Sequence, residues 1–268
     1  MQIKTVTRRG FIRKSFLTAI PFAFSSFAVN GKPTMGSSTL FLSSELDVPD
    51  LDRVTALLKQ KDPLIWVFTG DSITQGAHHT HGLRSYPEVF EERIRWELSR
   101  RRDAIINTGI SGNTTQSILD DFDWRVKAWR PSVVSLMIGT NDCSSKTISV
   151  DVFERNLDSI IVMIRGIGAI PILHTPNGVN KVDSPYPSRA KLPEYIKVIQ
   201  NLAKKRKVIL VDNWTYWQDT LLNKPEANVL MNWLDDPLHP NGKGHQEIAQ
   251  LMFKKLSIFD PKAPTCKR

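Results

Sequence analysis

The chain has 268 residues, of which 41% are hydrophobic and 24% are charged. That is enough for one globular domain with a sizeable core and some chain left over for tails. The formal net charge is +9, but five of the 36 basic residues lie in residues 1–28, which hold no acid, so 31 bases against 27 acids leave +4. A surplus this small excludes the strong electrostatic footprint of a nucleic-acid-binding protein.

The first 28 residues are typical of an export signal. Arg8 and Arg9 precede an apolar stretch of 13 residues, 16–28, which is shorter than the roughly 20 residues that a spanning helix needs. Paired arginines before such a stretch resemble a twin-arginine signal, and the small residues Ser26 and Ala28 predict cleavage after Ala28. We therefore expect a bacterial protein exported to the periplasm or beyond, without stable membrane insertion after cleavage. An uncleaved anchor or a disordered basic tail is the alternative.

Residues 29–47 are rich in Gly, Ser, Thr and Pro and are interpreted as a linker, followed by one folded domain over 48–260. Apolar runs then alternate with amphipathic segments. Five strands are predicted, at 64–68, 104–107, 133–138, 170–173 and 208–211. Helices are predicted at 50–61, 87–102, 115–129, 151–165, 193–207 and 243–256. Strands that are apolar throughout, alternating with such helices, predict a parallel sheet covered on both faces.

Some of these elements carry finer predictions. In the helix at 115–129 an apolar stripe of four residues is expected to face the core, formed by Ile118, Phe122, Val126 and Trp129. Asp151 and Glu154 form a predicted capping box at the start of the next helix. Residues 261–268 are expected to form a loose tail.

Polar motifs follow the predicted strands at their carboxyl ends. Gly70-Asp71-Ser72 follows the first strand, residues 107–114 the second, and Gly139-Thr140-Asn141-Asp142 the third. A parallel sheet brings such loops to one edge, where open α/β folds bind their ligands. Far downstream, residues 235–240 contain two aspartates and His239. A serine needs such a base and an oriented carboxylate to act as a nucleophile, so the motifs together predict ester hydrolysis.

In this combination the chain resembles the GDSL, or SGNH, hydrolase family, through four blocks in order at 70–74, 109–112, 139–142 and 236–239. The resemblance implies a flavodoxin-like three-layer α/β/α fold with a five-stranded parallel sheet, and a reaction without cofactor or metal. It implies that Ser72 is the nucleophile, His239 the general base and Asp236 the orienting carboxylate. It also implies an oxyanion hole formed by the backbone N–H groups of Ser72 and Gly112 and the side-chain amide of Asn141.

Several residues near these blocks have competing interpretations. Asp71 is expected to hydrogen-bond its own turn, and Asp142 to brace its loop. Asp235 competes with Asp236 for the triad, but a carboxylate three residues before the histidine favours Asp236. Gly112 is expected to be glycine because the missing Cβ lets its N–H approach the oxyanion closely.

His78, His79 and His81 form an unusual cluster outside the four blocks. Three histidines within four residues suggest a metal site, but no acidic or cysteine partner flanks them in the sequence. We predict instead that they line the substrate entrance and that His79, His81 and Arg84 contact the substrate. Residues 175–189 are long enough for a lid or a specificity loop.

The remaining chemistry-bearing residues receive plainer interpretations. Cys143 and Cys266 do not make a disulfide scaffold, and whether they pair is left open. Cys143 is interpreted as a small buried residue rather than a nucleophile. The basic runs 100–102 and 204–207 lie at predicted helix ends, where they are expected to face water and complement the helix dipole.

The sequence therefore predicts an exported serine esterase that acts through an acyl-enzyme. Export and a polar, Trp-bearing site region favour O-acetyl esters of carbohydrate or cell-envelope glycan as substrates. A lysophospholipase or thioesterase for longer acyl chains, an acyltransferase, and a non-catalytic glycan-binding module are the alternatives. The intact triad and oxyanion residues argue against the last of these.

Overall fold

The computed structural model describes residues 48–179, 187–223 and 229–267. The predicted export signal and linker lie outside these residues, as does 180–186 within the predicted lid. No helix in the described ranges is long and apolar enough to span a membrane.

Five parallel strands form one sheet in the order β2-β1-β3-β4-β5. The strands are β1 (Ile65–Gly70), β2 (Ala104–Asn107), β3 (Val133–Met137), β4 (Ile170–Thr175) and β5 (Ile209–Asp212). Every residue of β3 and β4 is buried, which explains why these strands are apolar without alternation. The strand order reverses between β1 and β3, and this reversal leaves a crevice at the carboxyl ends of those two strands.

Helices cover both faces of the sheet, so the predicted three-layer α/β/α fold is confirmed. The helices are α1 (Asp50–Lys59), α2 (Ser72–Gln75), α3 (Tyr86–Glu92), α4 (Thr115–Asp120), α5 (Phe122–Arg125), α6 (Val150–Gly166), α7 (Leu192–Arg206), α8 (Asn213–Asn223), α9 (Val229–Trp233) and α10 (Gly242–Lys255). One core lies under α4, α6 and α7, and the other under α1, α3 and α10.

The predicted helix at 115–129 is interrupted. The backbone leaves the helical region at Asp121 (φ −107°, ψ 12°), which separates α4 from α5, and a 3₁₀ turn follows at Lys127–Trp129. Three members of the predicted apolar stripe are buried, but Trp129 is 40% exposed. Arg125 in α5 is buried, and its guanidinium donates to the carbonyl oxygens of Gly70 (3.3 Å) and Thr108 (2.9 Å).

The start of α6 differs from the predicted capping box. Ser149 is the N-cap, with extended backbone (φ −69°, ψ 169°) and a side-chain oxygen that accepts from the Val152 N–H at 3.3 Å. Asp151 lies inside the first turn, where its charge faces the positive end of the helix dipole. The prediction that Asp151 caps this helix is therefore wrong, because the cap position must be extended rather than helical.

The predicted helix at 87–102 ends early and is hydrogen-bonded to the C-terminal residues. It continues beyond α3 as one π-helical turn, Arg93–Glu97. Glu97 accepts from the backbone N–H and the hydroxyl of Thr265 at 2.9 and 2.5 Å, and Thr265 and Cys266 are buried. The prediction of a loose tail is therefore wrong for the described residues 261–267, because these contacts join segments that are far apart in the sequence.

Two helices between β5 and α10 were not predicted. Helix α8 follows β5 without any connecting residue, so no turn signal separates the two. Trp217 on α8 is fully buried, and α9 ends at Trp233, two residues before Asp235.

The basic run at 100–102 is only partly solvated. Arg100 donates to the carbonyl oxygens of Leu58, Gln60 and Asp62 at 3.1, 2.5 and 2.9 Å, and it pairs with Asp103. It thereby satisfies backbone oxygens at and just beyond the end of α1, which lack partners inside that helix. The expectation that this arginine faces water is corrected.

Candidate active site

Ser72 is presented at the carboxyl end of β1 by a short helix. Asp71 caps α2 from an extended conformation, and its Oδ1 accepts from the Ile73 N–H at 3.0 Å. This confirms the prediction that Asp71 hydrogen-bonds its own turn. Because α2 begins at Ser72, the N–H of this residue has no partner within the helix.

Asp236 and His239 lie on a closed loop between α9 and α10. An antiparallel bridge joins Leu234 to Pro240, and the Asp235 N–H donates to the His239 carbonyl at 2.9 Å. Oδ1 of Asp236 accepts from the backbone N–H groups of Leu238 and His239, both at 2.7 Å. These bonds hold the carboxylate in place while leaving its second oxygen for the His239 ring.

The structure brings Ser72, His239 and Asp236 into one hydrogen-bonded chain. The Ser72 Oγ lies 3.0 Å from His239 Nε2, and His239 Nδ1 lies 2.8 Å from Asp236 Oδ2. Both distances are normal hydrogen bonds. Asp236, rather than Asp235, therefore occupies the position next to the His239 ring.

The electrostatic surroundings favour a neutral imidazole beside the serine. Burial lowers the pKa of His239 and outweighs the opposing effect of Asp236. Burial alone would raise the pKa of Asp236, but hydrogen bonds from His239 and Leu238 outweigh it and hold that pKa below its usual range. An Nδ1–H bonded to an ionised Asp236 leaves the Nε2 lone pair facing Ser72, as a general base requires.

Gly112 lies in the loop after β2, with φ +80°. A Cβ at this position would meet no atom within 4 Å. Glycine suits this positive φ, which side chains rarely tolerate. That the missing Cβ also lets the Gly112 N–H approach an oxyanion stays a prediction. Close approach between protein atoms occurs at Gly109, where a Cβ would lie 2.5 Å from the Gln75 backbone nitrogen. The loop thus packs directly on the helix that carries Ser72.

The Asn141 side chain is held from two sides. Its Nδ2 donates to the Asn113 carbonyl at 3.0 Å, and Arg189 donates to its Oδ1 at 3.2 Å. A guanidinium can only donate and a carbonyl can only accept, so these contacts fix the amide orientation. The second N–H of Nδ2 is then available to a ligand. Sequence reasoning missed Arg189 in this role, since a contact across 48 residues leaves no local pattern.

These features are matched by comparison with known proteins. The sequence profile of the GDSL-like Lipase/Acylhydrolase family matches residues 68–247. The chain belongs to this family. It is accordingly an enzyme that hydrolyses ester bonds.

Individual relatives of this GDSL hydrolase agree with the family assignment. It is 27% identical over 215 residues to an acetylxylan esterase of Geobacillus stearothermophilus, covering 72% of this chain and 93% of the relative. It is 30% identical over 171 residues to an uncharacterized lipoprotein, YqeF, of Bacillus subtilis (strain 168), covering 55% and 70%. The crystal structure of Axe2, an acetylxylan esterase from G. stearothermophilus, superposes with a TM-score of 0.60 at 21% identity, covering 72% and 94%, and this likeness shows the shared fold.

Buried polar residues connect the loops of the GDSL site. Oδ1 of Asp142 accepts from the backbone N–H and the hydroxyl of Thr115 at 2.8 and 2.6 Å. Asp142 therefore anchors the first residue of α4 to the loop after β3, which goes beyond the predicted bracing of its own loop. Arg125 binds the carbonyls of Gly70, the first residue of the first block, and of Thr108, the residue just before the second block.

The histidine cluster lies against His239. The rings of His79 and His239 stack with centroids 3.8 Å apart and an interplanar angle of 3°. One carboxylate oxygen of Asp235 forms a hydrogen bond with His79 Nδ1 at 2.8 Å, and the other oxygen forms one with His81 Nε2 at 2.5 Å. The expectation that these histidines lack an acidic partner is therefore corrected, because the fold supplies one from a distant loop.

The stacked arrangement disfavours a metal site. Potential ligand atoms of His79, Asp236 and His239 lie within 4.8 Å of one another. A nitrogen lone pair lies in its ring plane, however, and two parallel planes 3.8 Å apart do not converge on one ion at about 2.0–2.1 Å. These atoms are already joined by the hydrogen bonds of the triad and of Asp235.

Arg84 points to a different part of the surface. It forms an ion pair with Glu92 and lines a cavity of about 670 Å³ together with Trp233, Lys243 and Gln246. None of Ser72, Asp236 and His239 lines this cavity. A contact between Arg84 and the substrate therefore stays a prediction.

The described part of the predicted lid is tied down. Residues 176–179 are buried, and the Asn177 side chain donates to the Leu238 carbonyl at 3.1 Å, next to His239. Residues 176–179 therefore support the loop that carries Asp236 and His239 instead of covering it. Residues 180–186 lie outside the described residues.

Cys143 and Cys266 are both buried and free. Burial raises the pKa of the Cys143 thiol to about 11, so the reactive thiolate is scarce at neutral pH. This supports the interpretation of Cys143 as a buried structural residue.

Proposed function

We propose that this GDSL hydrolase is an exported serine esterase that removes O-acetyl groups from carbohydrate through an acyl-enzyme. The observation that carries the proposal is the hydrogen-bonded chain from Ser72 Oγ to His239 Nε2 (3.0 Å) and from His239 Nδ1 to Asp236 (2.8 Å). Such a chain activates a hydroxyl for attack on a carbonyl carbon.

Each residue then has a defined role. His239 Nε2 takes the Ser72 proton as Oγ attacks the ester carbonyl, and Asp236 stabilises the charged ring. The N–H groups of Ser72 and Gly112 and the Asn141 amide stabilise the oxyanion. The intermediate collapses as His239 returns the proton to the leaving alcohol. Water repeats the sequence on the acyl-enzyme, which releases acetate and restores Ser72.

The carbohydrate substrate class is supported by two observations. The acetylxylan esterase relative aligns over 93% of its own length, and the N-terminal pattern predicts export, which would bring the enzyme to polysaccharides outside the cell. We place His79 and His81, which lie beside His239 and Asp235, on the side of the site where the alcohol part of the ester binds. A substrate contact of Arg84 would need a substrate long enough to reach the separate cavity that Arg84 lines with Trp233 and Lys243.

The first test compares initial rates on p-nitrophenyl acetate, butyrate and octanoate for the mature enzyme and Ser72→Ala. We expect acetate to be fastest and Ser72→Ala to lose at least about 10³-fold. NMR detection of acetate released from acetylated xylo-oligosaccharides then tests the natural ester.

The outcomes separate the competing functions. A Ser72-dependent preference for octanoate would transfer the proposal to lipid or thioester substrates. Acyl transfer to an added alcohol in place of hydrolysis would indicate an acyltransferase. An equal rate in Ser72→Ala would remove Ser72 as the nucleophile.

Export is tested separately through the N-terminus. Replacing both Arg8 and Arg9 by lysine is expected to keep the protein in the cytoplasm of a bacterial host with a twin-arginine pathway. Fractionation followed by immunoblotting measures this, and Arg13→Lys is the matched control. Unchanged export of the double variant would exclude the twin-arginine route.

A further inference from the structure

The site contains a second Asp–His pair beside the first. The consecutive carboxylates Asp235 and Asp236 serve two stacked imidazoles: Asp236 bonds His239 Nδ1 at 2.8 Å, and Asp235 bonds His79 Nδ1 at 2.8 Å. The rings are parallel within 3° at a centroid distance of 3.8 Å. The proposed reaction uses only the pair formed by Asp236 and His239, so the second pair has no role in it.

We propose that His79 is a positioning residue for the esterase reaction, which fixes the ring plane of His239 by stacking on it and, whenever His79 carries a charge, opposes a charge on that ring. This inference rests on the proposed role of His239 as general base. It assigns a purpose to the histidine cluster that does not require a metal.

The stack restrains the His239 ring. His239 Nε2 reaches Ser72 only in one ring orientation, and the flat face of His79 lies against the ring in that orientation. Asp235 holds His79 in turn, through a bond of 2.8 Å. A ring confined on one face by a fixed neighbour loses less orientational freedom when the substrate binds.

The same arrangement separates the two rings electrostatically. Two imidazolium rings 3.8 Å apart would repel each other, so a charge on one ring opposes a charge on the other. Burial lowers the pKa of His239, and a charge on His79 lowers it further. Hydrogen bonds from His81 and His79 hold the pKa of Asp235 below its usual range, so this carboxylate is charged and lies beside His79 rather than beside the His239 ring.

Other titratable or charged groups near the stack come from several elements. His245 on α10 stays neutral in weak acid, because burial lowers its pKa to about 3, and the Arg189 guanidinium lowers the pKa of His239. His78 meets His79 edge-on at 4.9 Å, and His81 bonds the far oxygen of Asp235. Asp236 remains ionised, since its pKa lies below the usual range. His79 is the group stacked face to face on His239.

Two variants separate the charge of His79 from its stacking. His79→Phe keeps a flat ring but removes the charge, and His79→Gln removes both. We expect the acidic limb of kcat/KM on p-nitrophenyl acetate to shift upward by about one pH unit in both variants. The plateau kcat at pH 8 should fall less in His79→Phe, which keeps a stacked ring, than in His79→Gln, where we expect a loss of about five- to tenfold.

Lys61→Gln is the matched charge control. It also removes one positive charge. Lys61 lies before the start of β1, however, and Ser72 follows the end of β1. The two residues are therefore roughly 20 Å apart along the strand, and salt screens a charge at that distance. Its acidic limb should coincide with that of the wild type.

An acidic limb in His79→Phe that coincides with the wild type would overturn the proposal. So would an NMR titration in which the His239 ring takes up its proton at the same pH in both proteins. Failure of the proposed function would look different: the wild type and Ser72→Ala would then hydrolyse the ester at equal rates, whatever residue stands at position 79.

Discussion

The Asn141 side chain must be a neutral amide if it is to stabilise an oxyanion. An amide there can donate to an oxyanion, while Arg189 and the Asn113 carbonyl fix its orientation. A carboxylate of the same shape would repel the oxyanion and would lose the hydrogen bond to the Asn113 carbonyl, but it would pair with Arg189. A test of this residue therefore needs a measurement of stability beside that of activity.

We expect Asn141→Asp to lower kcat more than Asn141→Ala. The alanine variant loses one donor, which costs about 10²- to 10³-fold, and the aspartate variant adds repulsion to that loss. Steady-state rates at pH 8 measure the difference, and urea unfolding checks that both variants are folded. Equal or higher activity in Asn141→Asp would remove Asn141 from the oxyanion hole.

Asp71 makes the stability of the protein depend on pH. Its side chain is fully buried, and burial raises its pKa to about 7. The folded state thus holds a proton that the unfolded chain releases near pH 4. Since the folded state binds more protons over this range, stability falls as the pH rises from about 4 to 7.

Asp71→Asn should remove this loss, because its side-chain oxygen can still accept from the Ile73 N–H. We expect the free energy of unfolding of the variant, relative to the wild type, to rise by about 2 kcal/mol between pH 5 and pH 8. Urea unfolding at the two pH values measures this, with the exposed Asp52→Asn as control. A constant difference across the range would show that Asp71 is ionised in the folded state at both values.

Among the elements, α6 begins at a cap other than the predicted one, and its two candidate caps can be compared directly. Ser149→Ala removes the observed N-cap oxygen and is expected to cost about 1 kcal/mol. Asp151→Ala removes only a favourable charge in the first turn, worth about 0.3–0.5 kcal/mol. Thermal unfolding at low salt ranks the two variants. A larger loss in Asp151→Ala would restore the predicted capping box.

Arg125 on α5 links one core of the molecule to the loops of the candidate site. It lies seven residues after Ile118 and three after Phe122, so it shares the buried face of this segment. Its guanidinium binds the carbonyls of Gly70 and Thr108, which lie just before Ser72 and the loop that carries Gly112. The packing of one core is thus connected to the placement of two loops of the candidate site.

At the scale of the whole molecule, the C-terminal residues close the fold. Thr265 donates through both its N–H and its hydroxyl to Glu97, whose side chain is 7% exposed. Arg93 donates to the Ile258 carbonyl at 2.9 Å through Nε and at 2.6 Å through a second nitrogen. The chain end is thereby joined to the π-helical turn after α3.

Thr265→Val should lower the free energy of unfolding by about 1–3 kcal/mol, because it removes a donor from the buried Glu97 carboxylate at nearly constant volume. Urea unfolding at pH 7 measures the loss, and Thr147→Val, which changes an exposed threonine, is the control. Equal stability of the two variants would show that the tail does not contribute to the fold.

The sequence was sufficient for the fold class and for the list of candidate triad residues. Buried parallel strands are apolar throughout, and the motifs that follow them at 70–74, 109–112 and 139–142 converge because parallel strands end at one edge. Both signals are local, since each depends on neighbouring residues in the chain.

Only the tertiary structure could decide contacts between distant segments. Asp235 meets His79 across 156 residues, Arg189 meets Asn141 across 48, and Thr265 meets Glu97 across 168. Such pairs leave no periodicity or spacing in the sequence, because they depend on where complete elements pack. For the same physical reason, a histidine cluster that suggested a metal site or a substrate entrance lies in the structure against the ring of His239.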